Sequence, residues 1–358
     1  MIRYIYPELP DLSEISFGVE DALQMGSVTM GSNVGQFEDE IAKYLDVPYA
    51  LCMSNATACL MLMLRNLDGD ILVPSWTFHA TLAACWWNRL RPIYVDIDPK
   101  TWTIDVEDAQ RKMTPNTKAI MPVNIFGLPP SVDDLIEFAD ANKIKLFFDS
   151  SQGLGSTYRG KHIGGFGDGE CFSLSATKVF TTGEGGIFTT TDKFTYESMK
   201  MGRHWGDPGY AFVGSTYNPR TPGLNAHMTE FQAILGKWGL KRLDNSIKKK
   251  YETVSMYKRY LGDNVIYQDI PADRTTAYKD LSILVPLQKH QAVMMTLNRN
   301  LVQVKNYFYP CHLTDAYKSN VKLPVTEEYY HRAISLPTHN KLTEEEIKFI
   351  CDIILEVL

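Results

Sequence analysis

The chain offers little of what announces a metal site, a membrane span or a nucleic-acid partner. Its six cysteines (Cys52, Cys59, Cys85, Cys171, Cys311 and Cys351) are scattered, with no C-x-x-C pair and no histidine at metal-ligand spacing. That excludes a disulfide framework and a zinc site, and it fits reduced thiols in a cytosolic protein. A net charge of −6 with no basic block argues against nucleic acid. No apolar run approaches the roughly 20 residues that span a bilayer. The opening "MIRYIYPELPDLSE" lacks the basic-then-apolar order of a signal peptide. The expectation is a soluble, cytoplasmic protein with no metal and no membrane partner.

Two nucleotide signatures are also missing. "SNATA" (54–58), which follows the first strand-like run, holds no glycine, so the G-x-G-x-x-G of a nicotinamide-binding Rossmann domain is absent. "TTGEGG" (181–186) is rich in glycine but lacks the G-x-x-x-x-G-K-[ST] order of a P-loop.

What is present is alternation. With 358 residues, 44 % of them hydrophobic, the chain can bury a core divided between two domains. "YALCM" (49–53), "DILVP" (70–74), "RPIYVDID" (91–98), "KAIMPVNIFG" (118–127), "IKLFFD" (144–149), "GECFSL" (169–174) and "GGIFTTT" (185–191) read as strands. Between several of them lie helical patterns such as "SVDDLIEFADANK" (131–143), where Ser131 can cap and Val132, Leu135, Ile136 and Ala139 share a face. Such alternation indicates an α/β domain with a largely parallel sheet. A long helix is expected through 227–261, then the strand "LSILVPL" (281–287) and a closing helix over 343–357. These patterns divide the chain into an arm (1–30), a large domain (31–240) and a small C-terminal domain (241–358).

In open α/β sheets, ligands bind beyond the carboxyl ends of the strands. After "YALCM", the amides of Ala56 and Thr57 and the Thr57 hydroxyl suit a phosphate, although ordinary N-capping by Ser54, Asn55 or Thr57 explains the same letters. After "DILVP" stands an aromatic, Trp76 or Phe78. Asp149 closes a strongly apolar strand, where an unpaired carboxylate is costly. After "GECFSL", Ser173 precedes Lys178, an amine among small residues in "FSLSATKVFTTGEGG". Each feature alone has an ordinary structural explanation. Together, in chain order, they supply a phosphate cradle, an aromatic face, a carboxylate and a sheltered amine. Pyridoxal 5′-phosphate (PLP) requires that set.

The stretch "FFDSSQGLGSTYRGKHIGGFGDGECFSLSATKVFTTGEGGIFTTTD" resembles the central segment of the DegT-type sugar aminotransferases. The likeness continues in "GSNVGQFEDEIAKYLDVPYALCMSNATACL", "VPSWTFHATLAA", "GLNAHMTEFQAILG" and "LPVTEEYYHRAISLPTHNKLTEEEI", covering nearly the whole chain. The resemblance implies a fold-type I PLP-transferase, aspartate aminotransferase-like, with a mostly parallel central sheet and a smaller α+β C-terminal domain. By position, Lys178 matches the lysine that bonds to the coenzyme aldehyde and Asp149 the acid facing its ring nitrogen. Gln152 matches the residue near its phenolate oxygen, while Ser151 and Phe78 match the groups on the two ring faces. Ala56, Thr57 and Ser173 match the phosphate anchors. Asn225 matches an asparagine that reaches the phosphate from a neighbouring subunit, which implies a homodimer with shared active sites.

Three departures stand out. Asn55-Ala56-Thr57 replaces the usual Ser-Gly-Thr, so the backbone at Ala56 must avoid positive φ. His227 stands where the family often has Arg or Lys, which implies weaker or pH-dependent binding of a sugar diphosphate. Ser150 and Ser151 replace the commoner Ala-Ala. The expected activity moves an amino group from glutamate to a nucleotide-linked keto-deoxysugar, first C4 of a dTDP-4-keto-6-deoxyhexose and next C3, in deoxyaminosugar or O-antigen biosynthesis. Arg203, His204, Arg220, His227 and Lys305 are the candidate cations for the nucleotide end. The rivals are a sugar dehydratase, disfavoured because such enzymes carry histidine in place of Lys178, and a non-catalytic PLP-binding protein.

Overall fold

The computed structural model describes residues 1–208 and 217–358. Helices α1 (Leu12–Gln24) and α2 (Ser32–Leu45) lead into β1 (Tyr49–Met53), α3 (Ala56–Leu64), β2 (Asp70–Pro74), α4 (His79–Trp87) and β3 (Arg91–Val95). The alternation continues through α5 (Val106–Lys112), β4 (Thr117–Ile120), α6 (Val132–Asn142) and β5 (Lys145–Asp149). A two-stranded ribbon, β6 (Thr157–Tyr158) and β7 (Lys161–His162), precedes β8 (Gly169–Ser173), β9 (Gly186–Thr190) and α7 (Lys193–Arg203).

Seven strands form the central sheet in the order β1-β9-β8-β5-β4-β2-β3. Only β9 runs against its neighbours, pairing antiparallel with both β1 and β8. The remaining six strands therefore deliver their carboxyl ends to one edge. Period-2 alternation divides the strand side chains between two cores. Ala50, Cys52 and Leu72 join Phe37, Ile41 and Phe148 on one face. Leu51, Met53, Ile71 and Val73 join Leu60 and Phe188 on the other.

The helix expected through 227–261 is two helices, α8 (Glu230–Leu240) and α9 (Leu243–Leu261). The first begins only at a capping box of Thr229 and Gln232. The chain turns at Lys241–Arg242 because α9 must change direction to carry Val254, Tyr257 and Leu261 into a different core. Arg242 is held at that turn by the Trp238 ring, 4.2 Å away, and by Glu14 of α1 at 2.5 Å. Buried Glu230 serves α2 from outside. Its carboxylate accepts from the amides of Gly31, Asn33 and Val34 and from Asn33 Nδ2, at 2.9–3.0 Å, where Gly31 has no side chain to cap the helix.

The C-terminal part adds β10 (Ile266–Tyr267), β11 (Leu281–Leu284), α10 (Leu287–Arg299), α11 (Pro324–Tyr330), β12 (Ala333–Leu336) and α12 (Glu344–Val357). Its strands form a separate antiparallel sheet, β10-β11-β12, covered by α9, α10 and α12. An aromatic cluster of Trp76, Trp102, Phe126 and Phe308 joins this part to the large sheet. The N-terminal segment lies across the seam. Ile2 bridges to Val302, and the buried Tyr4 hydroxyl donates to Asp280 at 2.5 Å. Among the described residues, no helix is long and apolar enough to cross a membrane.

Candidate active site

The loops after β1, β2, β5 and β8 meet around one cavity of 270 Å³. Helix α3 starts within three residues of β1. Asn55 is extended (φ −166°) and its Oδ1 accepts from the Ala58 amide at 2.8 Å. The amides of Ala56 and Thr57 precede the first intrahelical donor, the Cys59 amide, which bonds to the Asn55 carbonyl at 3.3 Å, so helix geometry leaves them without an acceptor in the helix. Both residues line the cavity. Ala56 lies within the right-handed helix, so its Cβ brings no left-handed backbone. The constraint has moved to Gly186, where an ideal Cβ would fall 2.5 Å from the Asn55 carbonyl carbon and 2.7 Å from the Ala56 nitrogen.

Asp149 ends β5 with 3 % of its surface exposed. Thr81 Oγ1 donates to its Oδ2 at 2.7 Å and the Ser151 amide to its Oδ1 at 3.1 Å. Gln152 Oε1 accepts from the Phe126 amide at 3.0 Å, which leaves its NH₂ end as a donor. Phe78 is 55 % exposed yet lines the cavity, edge-on to Phe308 at 6.2 Å. Trp76, the other aromatic after β2, is core. Ser173 ends β8, and half-buried Lys178 follows on the same rim. Loss of hydration pushes the Lys178 amine down to about 8. Lys279 adds to that effect, and Asp280, Asp149 and Cys171 oppose it.

These residues fit PLP. A helix N-terminus with two free amides and the Ser173 hydroxyl suits its phosphate. A pinned, buried carboxylate suits a protonated ring nitrogen, and an amine held near neutrality suits an aldehyde. Ser150, where the family more often has alanine, donates to Glu170 Oε2 at 2.7 Å and accepts from Asn124 Nδ2 at 3.0 Å. That replacement links Asn124 to Glu170, whose carboxyl burial pushes up to about 7.

The five cations expected at the nucleotide end do not line this cavity. Arg203 is 3 % exposed, ion-paired with Glu38 and donating to the Cys52 carbonyl at 2.7 Å, so its charge is already used inside the fold. His204 Nδ1 and His227 Nε2 are 2.8 Å apart and line a separate cleft of 540 Å³ with Met30, Trp205 and Tyr217. Burial, with His204 and Arg203 adding, pushes His227 down to about 4. It is therefore neutral at pH 7, and the pH-dependent cation expected there is absent near neutrality. Arg220 and Lys305 are exposed, Lys305 on a bridge to Ser335. Asn225 is also exposed and outside the cavity, its backbone bridged to His204.

The cavity also holds Asn55, read from sequence as a candidate N-cap and found in that role, and Thr77, Glu184, Lys279, Tyr307 and Phe308, which the strand-end reading missed. Lys279 had a signal. "YKDLSIL" sets two opposite charges at the mouth of an apolar strand, and such charges are buried only as a pair.

Residues 12–355 match the profile of the DegT/DnrJ/EryC1/StrS aminotransferase family. The chain is 33 % identical to GDP-perosamine synthase of Escherichia coli O157:H7, over 91 % of this chain and 90 % of that protein. It is 28 % identical to GDP-perosamine synthase of Vibrio cholerae, over 94 % of each. Among solved structures, it is similar to DesI in the presence of its TDP-sugar product, with TM-score 0.91, 28 % identity and coverage of 98 % and 91 %. It also resembles Helicobacter pylori PseC, an aminotransferase involved in the biosynthesis of pseudoaminic acid, with TM-score 0.92, 25 % identity and coverage of 99 % and 98 %. The chain belongs to the DegT/DnrJ/EryC1/StrS aminotransferase family.

Proposed function

We propose that this protein moves an amino group from glutamate to C4 of a nucleotide-linked 4-keto-6-deoxyhexose with PLP as cofactor. The observation that carries this reading is the convergence of Lys178, Asp149 and the free amides of the Ala56–Thr57 turn on one cavity. Relatives named for transamination of nucleotide-linked sugars support the substrate class.

In this reading Ala56, Thr57 and Ser173 hold the cofactor phosphate. Phe78 and Ser151 take the two ring faces, Gln152 the ring hydroxyl, Asp149 the ring nitrogen and Lys178 the aldehyde. Bound there, PLP would supply an aldehyde carbon that exchanges its oxygen, lost as water, for the amino group, and a ring that accepts electron density. Lys178 is the general base: an amine whose pKa is lowered to about 8 has roughly a tenth of its population neutral at pH 7 and about half at pH 8, and the neutral form takes the proton from the donor Cα. Asp149, fixed by Thr81 and the Ser151 amide, would hold the ring nitrogen, and a carboxylate beside it would favour its protonated form. Phe78 and Phe308, edge-on to each other, supply an aromatic wall of the cavity.

Amination at C3 is the second reading, favoured by the 27 % identity to UDP-N-acetyl-3-dehydro-alpha-D-glucosamine 3-aminotransferase of Acidithiobacillus ferrooxidans. For the nucleotide, the GDP-perosamine synthases favour GDP over the dTDP expected from sequence. Asn225, exposed and outside its own cavity, is assigned to the neighbouring site of a homodimer, and the enzyme to the cytoplasm in O-antigen-type sugar biosynthesis. Mixing purified enzyme with PLP and glutamate should shift the visible absorbance to that of the amine form of the cofactor. Adding GDP- and dTDP-linked keto sugars and locating the new amine by NMR then separates C4 from C3. No spectral change with glutamate, and no amino sugar from any donor, contradicts the reading.

A further inference from the structure

Lys279 stands just before β11, in the C-terminal part of the chain, and 5 % of its surface is exposed. Its Nζ donates to Asp280 Oδ2 at 2.7 Å and Oδ1 at 3.0 Å. Asp280 Oδ1 also accepts from the hydroxyl of Tyr4, which the N-terminal segment brings across the seam. The Tyr307 ring lies 5.2 Å from the ammonium.

The pair is oriented. Asp280 does not line the 270 Å³ cavity; with Tyr4, Glu8 and Lys250 it borders a smaller void that adjoins the cavity at Thr177, Lys178 and Lys279. Lys279 borders both. Of this buried, neutral pair the cationic member therefore reaches the cavity, while the anionic member lies outside it and holds the ammonium from the adjoining void. Two of the three ammonium hydrogens are committed to Asp280, and one remains. Among the described residues that line the cavity, Lys178 and Lys279 are the cations and Asp149 and Glu184 the acids. Lys178 has its own task at the reacting carbon. An anionic group entering this space therefore meets one unassigned positive partner.

We propose that Lys279 is the subsite for a carboxylate of the amino donor, its ammonium aimed into the cavity by Asp280 and Tyr4. This rests on the transaminase reading above. It also answers a difficulty that reading creates, because one cavity must take a charged amino acid and then a keto sugar in turn. A lone buried ammonium would be destabilised whenever the carboxylate left. Paired with Asp280, Lys279 stays neutralised without a donor and still offers a charged hydrogen bond to a carboxylate or a plain one to a sugar hydroxyl.

The test uses the full-length protein, Lys279→Met and Lys279→Arg. Calorimetric titration with glutarate, which has carboxylates but no amine to react, reads the subsite without turnover. Wild type and Lys279→Arg should bind it, and Lys279→Met should bind about 10- to 100-fold more weakly, as for the loss of one charged hydrogen bond. In the PLP-loaded enzymes, the KM for glutamate should rise by a similar factor with kcat for the donor half-reaction changed much less. Lys279→Gln, polar and of similar length, carries the same test if the methionine variant loses its cooperative melt. Unchanged glutarate affinity and unchanged glutamate KM in a folded neutral variant overturn the proposal. So does a shifted pH profile with unchanged KM, which would mean that Lys279 acts only through Lys178. Borohydride capture of PLP on residue 178 of the same variant keeps the two readings apart. Capture with normal glutarate binding sinks the subsite alone, and no capture in wild type sinks the transaminase reading.

Discussion

Lys178 and Lys250 are two amines that loss of hydration pushes down to about 8, and they border the same small void adjoining the cavity. Their surroundings differ in one respect. Lys178 also lines the 270 Å³ cavity, which it shares with Asp149 and the Ala56–Thr57 turn of α3. Lys250, on α9, donates to the Thr338 carbonyl at 3.1 Å and does not line that cavity. A depressed lysine is a consequence of burial. It becomes a reagent only where there is room for a ligand, a cradle for its anionic end and a carboxylate to hold its charge.

The contrast can be broken most sharply at Lys178. Lys178→Ala should lose turnover by at least about four orders of magnitude, as for removal of a covalent and general-base group, while the melting temperature moves little. Steady-state kinetics and a thermal melt on one preparation check both halves, and residual activity near wild type would erase the distinction. Next in size is Asp149→Asn. It should still bind PLP but slow the donor half-reaction about 10²- to 10⁴-fold in single-turnover kinetics.

A purely structural carboxylate sharpens the comparison from the other side. Glu230→Ala strips partners from three backbone amides and one side-chain amide at the start of α2. Urea unfolding should show a loss of about 3 kcal/mol or more, with the kcat of the folded fraction unchanged.

The smallest effect is expected at Lys250→Met, with turnover within severalfold of wild type. Its signature is in pH. Burial lowers the folded pKa to about 8 from the ordinary lysine value of 10.5, so between those limits the unfolded chain holds a proton that the folded chain does not. Wild-type stability therefore rises with pH across that window, by on the order of 3 kcal/mol, relative to a variant that lacks the group. Urea unfolding of both proteins at pH 7.5 and pH 10.5 measures it. A wild-type-minus-variant difference that does not grow with pH would show that Lys250 is not held neutral.

The strand-borne half of the site was legible because the sequence writes it locally. Five-residue apolar runs mark the strands, a mostly parallel sheet brings their ends to one edge, and Asp149, Ser173, Phe78 and the Ala56–Thr57 turn lie within a few residues of those ends. What escaped depends on partners far away in the chain. Arg203 read as a free loop cation because Glu38, which neutralises it, lies on α2. His227 read as a cation because nothing near it in sequence reveals that His204 stacks on it at 4.9 Å. The break between α8 and α9 was hidden because Lys241 and Arg242 are good helix formers, and only packing turns the chain there. Lys279 arrives from the C-terminal part, 101 positions after Lys178 in the numbering, and no strand-end rule for the large sheet reaches it.

Borohydride reduction of the PLP-loaded protein, followed by peptide mass spectrometry, tests the central claim most directly, because three buried or half-buried lysines compete within one neighbourhood. The pyridoxyl group should be found on residue 178 at close to one per chain, with Lys250 and Lys279 unmodified. Its recovery on either of those two, or on no lysine at all, would contradict the account.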